Sequence, residues 1–250
     1  MISIIIPTLN EEQYLPVLLD SLKKQTYTDF EVIVADANSQ DKTTTKALEL
    51  GASVVVGGMP AVGRNNGAKA AKGNLLLFLD ADIKFHDTFL AEIITEFNNR
   101  KLDIATCRIS KNVKNKFAKT VYVLGGFTDN IRQYTNSPIG TGACILLKRK
   151  VFDDLNGFDE QKVLQEDWDF LQRAVKSGYK FRILKNEIDV STRRFDRQGF
   201  IRLATGALVG IILITAGFKS AKLLSRLYGG WGEHNQKKKR TMPFRRSQND

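Results

Sequence analysis

The chemistry in this chain gathers first at Leu75-Leu-Leu-Phe-Leu-Asp80-Ala-Asp82, where five apolar residues run into two carboxylates separated by one alanine. Such a pair suits a hard cation such as Mg2+, which is usually held by one or two carboxylates together with phosphate oxygens. Glu166-Asp167 opens a segment with helical spacing, Asp36 closes the apolar run Val32–Ala35, and Arg64 lies in a glycine-rich stretch. Each has an ordinary structural alternative. Asp80 can end a strand and Asp82 can cap a helix; Asp36 and Asp41 can be loop and cap residues. Arg64 can be a surface charge, and Glu166 and Asp167 can be favourable first-turn acids. Asp36, Asp80, Asp82, Asp167 and Arg64 gathered at one edge are harder to explain by capping.

The elements that must position these groups alternate. Ser3-Ile-Ile-Ile-Pro7 reads as a strand, followed by Thr8-Leu-Asn10-Glu11-Glu12 and apolar residues at Leu15, Leu18, Leu19 and Leu22 with helical spacing. Asn10 is the expected N-cap of that helix, with Glu11 and Glu12 complementing its positive end. Phe30–Ala35 is a second strand leading to Asp36-Ala-Asn-Ser39-Gln-Asp41, a helix follows over Lys42–Leu50, and Ser53–Val56 is a third strand. Gly57–Gly67 reads as a loop before a small-residue helix at Ala68–Lys72, and Leu75–Leu79 is a strand buried on both faces. Strands alternating with helices predict an α/β fold with a doubly wound, mostly parallel sheet and helices on both faces. Ligands of such sheets bind outside the carboxyl ends of the strands, where Asn10, Glu11, Asp36, Arg64, Asp80 and Asp82 all fall.

The second half is less regular. Asp103–Cys107 and Gly140–Leu147 read as strands, and Asn112–Tyr134 as a helix interrupted at Gly125-Gly126. Glu166 opens a helix running to Lys176, and short strands are expected near Lys180–Leu184 and Ile188–Val190.

The totals exclude several classes. At 250 residues, with 42% hydrophobic and 26% charged residues, the chain fits one large globular domain with an appendage. Two cysteines, Cys107 and Cys144, lie in apolar stretches and read as buried reduced thiols, and two histidines exclude a histidine-rich metal centre. Ile2–Ile6 is too short and lacks the basic flank of a secretory signal, so none is expected. Of the net charge of +11, residues 219–250 carry +7, from nine Lys and Arg against Glu233 and Asp250.

Laid out in order, these motifs make the chain resemble the family-2 glycosyltransferases, which have the GT-A (Rossmann-like) fold and use nucleotide-activated sugars. The resemblance covers Ile2 to Arg197. It rests on Ile-Ile-Pro7-Thr8-Leu-Asn10-Glu11-Glu12, Val-Ala-Asp36-Ala-Asn-Ser39-Gln-Asp41, Gly63-Arg64-Asn65-Asn66-Gly67 and Leu79-Asp80-Ala-Asp82, then on Gly140-Thr-Gly142, Gly157-Phe158-Asp159-Glu160 and Glu166-Asp167. The resemblance implies that Pro7, Thr8, Asn10 and Glu11 line a nucleotide pocket with Ser39. It implies that Asp36 accepts a hydrogen bond from the base and that Arg64 contacts the nucleotide or its diphosphate. Asp80 and Asp82 match the family's Asp-x-Asp motif, which holds Mg2+ or Mn2+ against the diphosphate. Asp167 matches the acid that takes the acceptor hydroxyl's proton in inverting members. Two departures stand out. Where many members carry a histidine beyond the Glu-Asp motif, this chain has Arg193-Arg194, either a diphosphate or acceptor-phosphate contact or simply the flank of the next segment. Where many have two acids after the second strand, it has Asp36-Ala37, which leaves the base open.

That next segment, Leu203–Phe218, contains no charge. Its sixteen residues would span roughly 24 Å as a helix, short of the ~30 Å hydrocarbon core. Basic residues on both flanks favour a helix lying in or dipping into an anionic leaflet at the cytoplasmic face of a membrane. A buried core helix is the competing reading. A nucleic-acid role for Lys237-Lys-Lys-Arg240 is the weakest, because the tail lacks interleaved aromatics. The expected organisation is a glycosyltransferase domain over residues 1–198, a membrane-associating hydrophobic helix over 199–228 and a basic, disordered tail over 229–250.

The expected function is a metal-dependent, inverting hexosyl transfer from a nucleotide-diphosphate sugar donor to a lipid-phosphate or glycan acceptor at the membrane surface, with no specific nucleic-acid partner. One alternative is a nucleotidyltransferase acting on a sugar phosphate. That class calls for a glycine-rich basic loop after the first strand, where this chain has Pro7-Thr-Leu-Asn-Glu-Glu12. The other is a non-catalytic nucleotide-sugar-binding scaffold, which would have no need of a positioned base at Asp167.

Overall fold

A computed structural model describes residues 1–110, 116–162 and 165–191, all within one compact unit, Met1–Arg197. Arg193, Arg194, the hydrophobic segment at 203–218 and the basic tail lie outside the described residues. Among the described residues no helix is long and apolar enough to cross a membrane.

The first half alternates as its periodicity predicts: β1 (Ile2–Thr8), α1 (Leu15–Lys23), β2 (Phe30–Asp36), α2 (Thr43–Glu49), β3 (Ser53–Val56), α3 (Pro60–Ala70) and β4 (Leu75–Leu79). There follow β5 (Ile83–Lys84), α4 (Phe89–Asn99), β6 (Ile104–Ile109), α5 (Lys116–Arg132), β7 (Cys144–Lys148), α6 (Arg149–Asp154), α7 (Glu166–Lys176) and β8 (Phe181–Val190). The strand order is β3-β2-β1-β4-β7-β6-β8-β5. Strands β1 to β4 pair in parallel, as do β6 and β8, while β7 runs antiparallel to both β4 and β6. The sheet is therefore mostly parallel, as expected, but mixed: β7, and β5 at the far edge, run against the other six strands. The chain enters β7 through Gly140-Thr-Gly142 beside the end of β4, so β7 must run back along it; Asp80 donates its backbone N–H to the Ala143 carbonyl at 3.1 Å.

Period-2 alternation on the central strands splits the core into two layers. Ile2, Ile4 and Ile6 face a layer shared with Leu15, Leu18, Leu22, Phe89 and Ile93 from α1 and α4. Ile5, Leu76 and Phe78 face the opposite layer with Ala61, Ala68, Phe152, Phe170 and Leu171 from α3, α6 and α7. Cys107 and Cys144 are buried free thiols on neighbouring strands, as their apolar context predicts.

Local chemistry departs from the sequence reading at four places. Gly63-Arg64-Asn65-Asn66-Gly67 is not a loop but the body of α3. Its glycines are there for packing: a Cβ on Gly67 would lie 2.3 Å from Ile5 Cγ2, and one on Gly63 3.2 Å from Pro7 Cβ. Asn10 does not cap α1, which begins after Tyr14 with Pro16 in its first turn and no acid there. Asn10 instead takes a left-handed conformation at φ 57° and uses its side chain elsewhere. The helix at α5 continues through Gly125-Gly126. The two short strands expected near the end are one ten-residue strand, β8, because β6 and β5 both pair along it.

Candidate active site

Two clusters form where β1, β2 and β4 end. The first belongs to β1 and β2, whose register sets Thr8 opposite Asp36. Thr8 Oγ1 donates to Asp36 Oδ1 at 2.9 Å, Ser39 Oγ donates to the same oxygen at 2.6 Å, and the Ser39 amide donates to Oδ2 at 2.8 Å. The Asn10 amide in turn donates to Ser39 Oγ at 2.8 Å, and the Gln40 amide donates to Asn10 Oδ1 at 2.8 Å. The left-handed turn at Asn10 makes this possible by aiming its backbone N–H and side chain at the neighbouring loop rather than at α1. Glu11 and Glu12 continue the seam: their amides donate to Thr43 Oγ1 at 2.8 Å and Asp41 Oδ2 at 3.2 Å. Pro7, Thr8, Asn10, Glu11, Asp36 and Ser39 thus form one stitched wall. Asp36 is 9% exposed; its carboxylate is braced from three donors and its orientation is fixed.

The second cluster centres on Arg64. Gly63 lets α3 lie against Pro7 and Ala35, which carries the next residue across the end of β4. The Arg64 side chain is only 5% exposed. Its Nη1 donates to Glu166 Oε1 at 2.6 Å, its Nη2 donates to the Gly142 carbonyl at 3.4 Å and lies 3.6 Å from Asp80 Oδ1. The guanidinium also stacks over Phe158, 5.4 Å from the ring centre. Its Nε is buried and has no partner among the described residues. Burial opposes the charge, but Glu166, Asp80 and Asp167 outweigh it and hold the guanidinium above its usual value.

Asp167 stands one residue into α7, with Oδ1 accepting the Trp168 amide at 2.9 Å. Gly142 gives it room: a Cβ there would lie 2.2 Å from Asp167 Oδ2. Burial first, and then the charge of Glu166, push the Asp167 carboxyl up to about 7, against the opposing pull of Arg64. A carboxyl poised there can accept a proton near neutral pH, as a general base must. The residue before α7, Gln165, has φ 62°, so the chain turns sharply to present Glu166 inward and Asp167 to the edge.

Asp80 is the open member of the cluster, with its side chain 43% exposed, and Asp82 follows it, partly exposed. Among the described residues no three acidic, histidine or cysteine side chains form a ready metal cage. The donor set at this edge is nonetheless all hard oxygen and supplies two carboxylates, the number Mg2+ or Mn2+ takes when phosphate oxygens and water complete the shell. The residues present fit such an ion.

Residues 3–155 match the family described as Glycosyl transferase family 2. The chain belongs to that family. It is 30% identical over 195 residues to an uncharacterized glycosyltransferase of Haemophilus influenzae, covering 70% of this chain and 62% of that protein. It is 28% identical over 199 residues to an amylovoran biosynthesis glycosyltransferase of Erwinia amylovora, covering 72% of this chain and 65% of the relative. The chain thus spans under two thirds of the length of both. A mannosyltransferase of Pyrobaculum calidifontis, solved with GDP-Man and Mn2+, superposes with a TM-score of 0.67 at 17% identity, over 91% of this chain and 72% of that one. At that identity the likeness shows a shared fold.

Sequence reasoning about this family member missed Asn65, Glu166's role as a counter-ion, and Trp168. Asn65 is buried; its Nδ2 donates to the Phe158 carbonyl and to Glu160 Oε1, both at 2.9 Å, and its Oδ1 accepts the Phe158 amide at 2.8 Å. Trp168 Nε1 donates to the Gly140 carbonyl at 3.2 Å. The available signal was adjacency: Asn65 and Glu166 each neighbour a residue singled out for chemistry.

Proposed function

We propose that this chain transfers a sugar from a nucleoside-diphosphate sugar to a nucleophilic acceptor with inversion at the anomeric carbon. The observation that carries the proposal is the arrangement of the sheet edge: Asp167 seated against Gly142, Glu166 and Asp80 gathered on Arg64, and the braced Asp36 at the end of the neighbouring strands; burial and the charge of Glu166 raise the Asp167 carboxyl to about 7. In this reading Asp36 accepts a hydrogen bond from the base, with Thr8 and Ser39 fixing its orientation, and Pro7, Asn10 and Glu11 line the same pocket. Asp80 and Asp82 would hold Mg2+ or Mn2+. That ion would neutralise charge on the departing diphosphate. Asp167 takes the proton of an acceptor hydroxyl as it attacks, or orients an acceptor phosphate that is already ionised. The charge of Glu166 helps to keep Asp167 basic enough for the first of these roles.

Membrane-associated acceptors, lipid phosphates or growing glycans at the cytoplasmic face, are proposed from the uncharged segment at 203–218 and its basic flanks. Arg193 and Arg194 are proposed to meet a phosphate of donor or acceptor. The test is a calorimetric screen of UDP- and GDP-sugars with Mg2+ or Mn2+, followed by nucleoside-diphosphate release in the presence of a membrane extract. Donor binding with turnover lost in Asp167→Asn is expected. Tight donor binding without turnover in wild type would indicate a scaffold. Pyrophosphate released from a nucleoside triphosphate would indicate nucleotidyl transfer.

A further inference from the structure

We infer that Arg64 is a positioning residue: its buried guanidinium locks the start of α7 to the end of β4, and the donor is bound by other groups. The inference rests on the reading of Asp167 as the base and adds what holds that base in place. Three observations carry it. The guanidinium is 5% exposed, and its closest contact, 2.6 Å, is to Glu166, itself buried and adjacent to Asp167. The other Nη reaches both strands that flank the edge, at the Gly142 carbonyl before β7 and at Asp80 after β4. One position along α3, Asn65 grips Phe158 and Glu160 in the connection that leads into α7.

Two neighbouring residues of one helix therefore fasten the α6–α7 connection and the first turn of α7. The glycines on either side press that helix against β1. A cation that served the donor would need an open face. Here the open face belongs to Asp80, 43% exposed. The planar fork of arginine suits the task, because one side chain can meet a carboxylate, a carbonyl and an aromatic face at fixed angles. Lysine, a point charge on a flexible stem, could meet Glu166 but not hold both strands.

Trp168 supplies a reporter that needs no substrate. It follows Asp167, its indole is tethered to Gly140, and the chain has two tryptophans, Trp168 and Trp231. In a full-length Trp231→Phe background, iodide quenching of Trp168 fluorescence is measured for Arg64→Gln, Glu166→Gln and the double Arg64→Gln/Glu166→Gln, with UDP and GDP affinities measured by calorimetry. Arg64→Gln leaves Glu166 buried and unpaired and is the variant most prone to unfold; the double variant keeps a neutral hydrogen-bonding pair and reads the same contact.

The expected result is at least a twofold rise in the quenching constant for each single variant, with no further rise in the double, since both remove one link. The affinity for whichever diphosphate binds wild type stays within threefold. With an active donor, kcat falls tenfold or more at a nearly constant donor KM, and Arg64→Lys recovers only part of it. An unchanged quenching constant in Arg64→Gln, or in the double variant, overturns the inference, as does a tenfold loss of diphosphate affinity in Arg64→Gln with Trp168 still seated. If wild type binds neither diphosphate and turns over no donor, the proposed function fails while the quenching arm still decides the role of Arg64.

Discussion

Replacing Gly142 with alanine would move the Asp167 carboxyl, the proposed base, while leaving the fold in place. The new Cβ would lie 2.2 Å from Asp167 Oδ2 and 2.9 Å from its Cγ, where carbon–oxygen neighbours ordinarily stand beyond about 3.4 Å. The carboxyl must withdraw by roughly 1 Å, and doing so loosens its hydrogen bond from the Trp168 amide. The crowding falls mainly on the carboxyl, with Asp167 Cβ also 3.2 Å away, and Gly142 is not among the positive-φ glycines of the described residues. The backbone therefore accepts alanine without strain. Misplacing a catalytic group by about 1 Å costs on the order of 100-fold in rate, whereas a loss below about 1 kcal/mol in stability lowers Tm by only about 2–4 °C. The assay is nucleoside-diphosphate release from the best donor, with Tm measured on the same preparation. A Gly142→Ala protein that keeps kcat within threefold of wild type at an unchanged Tm would refute the placement of Asp167 as the rate-setting base.

The pH dependence follows from the same carboxyl. Asp167 must be ionised to take a proton, so kcat/KM with a hydroxyl acceptor should rise with pH through about 7, and Glu166→Gln should move that midpoint down because it removes the second cause of the raised value. Its effect on stability has the opposite sign: a carboxyl whose folded value is raised favours folding while protonated, so this contribution is lost as pH climbs from the usual carboxylate range through about 7, and urea titrations of Asp167→Asn should lack the slope. Asp36→Ala should weaken UDP or GDP binding by roughly tenfold or more, the worth of one charge-assisted hydrogen bond, with Tm showing whether the stitched wall survives. Mn2+ binding, followed by electron paramagnetic resonance, should be weak in the donor-free protein, strengthened by nucleoside diphosphate and abolished in Asp80→Ala/Asp82→Ala; tight binding without nucleotide would count against a site completed by the diphosphate. Gly67→Ala should destabilise by roughly 1–2 kcal/mol, overpacking against Ile5 exceeding the gain in helix propensity.

The half of the fold that positions the site is legible because its signals are local. Continuous apolar runs ending in Pro7, Asp36 and Asp80 mark strands buried on both faces, and the carboxyl ends of those strands mark the ligand edge. What escaped depends on contacts distant in sequence. Gly63–Gly67 has poor helix propensity and reads as a loop, yet Ile5 and Pro7 leave no space for a side chain there, so tertiary packing selects glycine inside a helix. Asn10 has the right chemistry for an N-cap, but Ser39 and Gln40, far along the chain, take its hydrogen bonds. The antiparallel course of β7 is invisible in a run of apolar residues, which does not record direction.

On the positioning role inferred for it, Arg64 shows how residue type and position can fall short of role. In the sequence it is one cation among 38 Lys and Arg, placed where a phosphate contact is expected. Folded, it is nearly inaccessible and flanked by Glu166 and Asp80. A buried ion pair seldom adds much stability over a well-packed apolar pair, because desolvation offsets the attraction; losing one partner is what costs. The pair's physical value is then directional. It resists any motion that separates the start of α7 from the end of β4, the two elements that carry Asp167 and Asp80. Arg64, paired with Glu166 and 3.6 Å from Asp80, thus spends its charge inside the fold, on the alignment of the groups that would act.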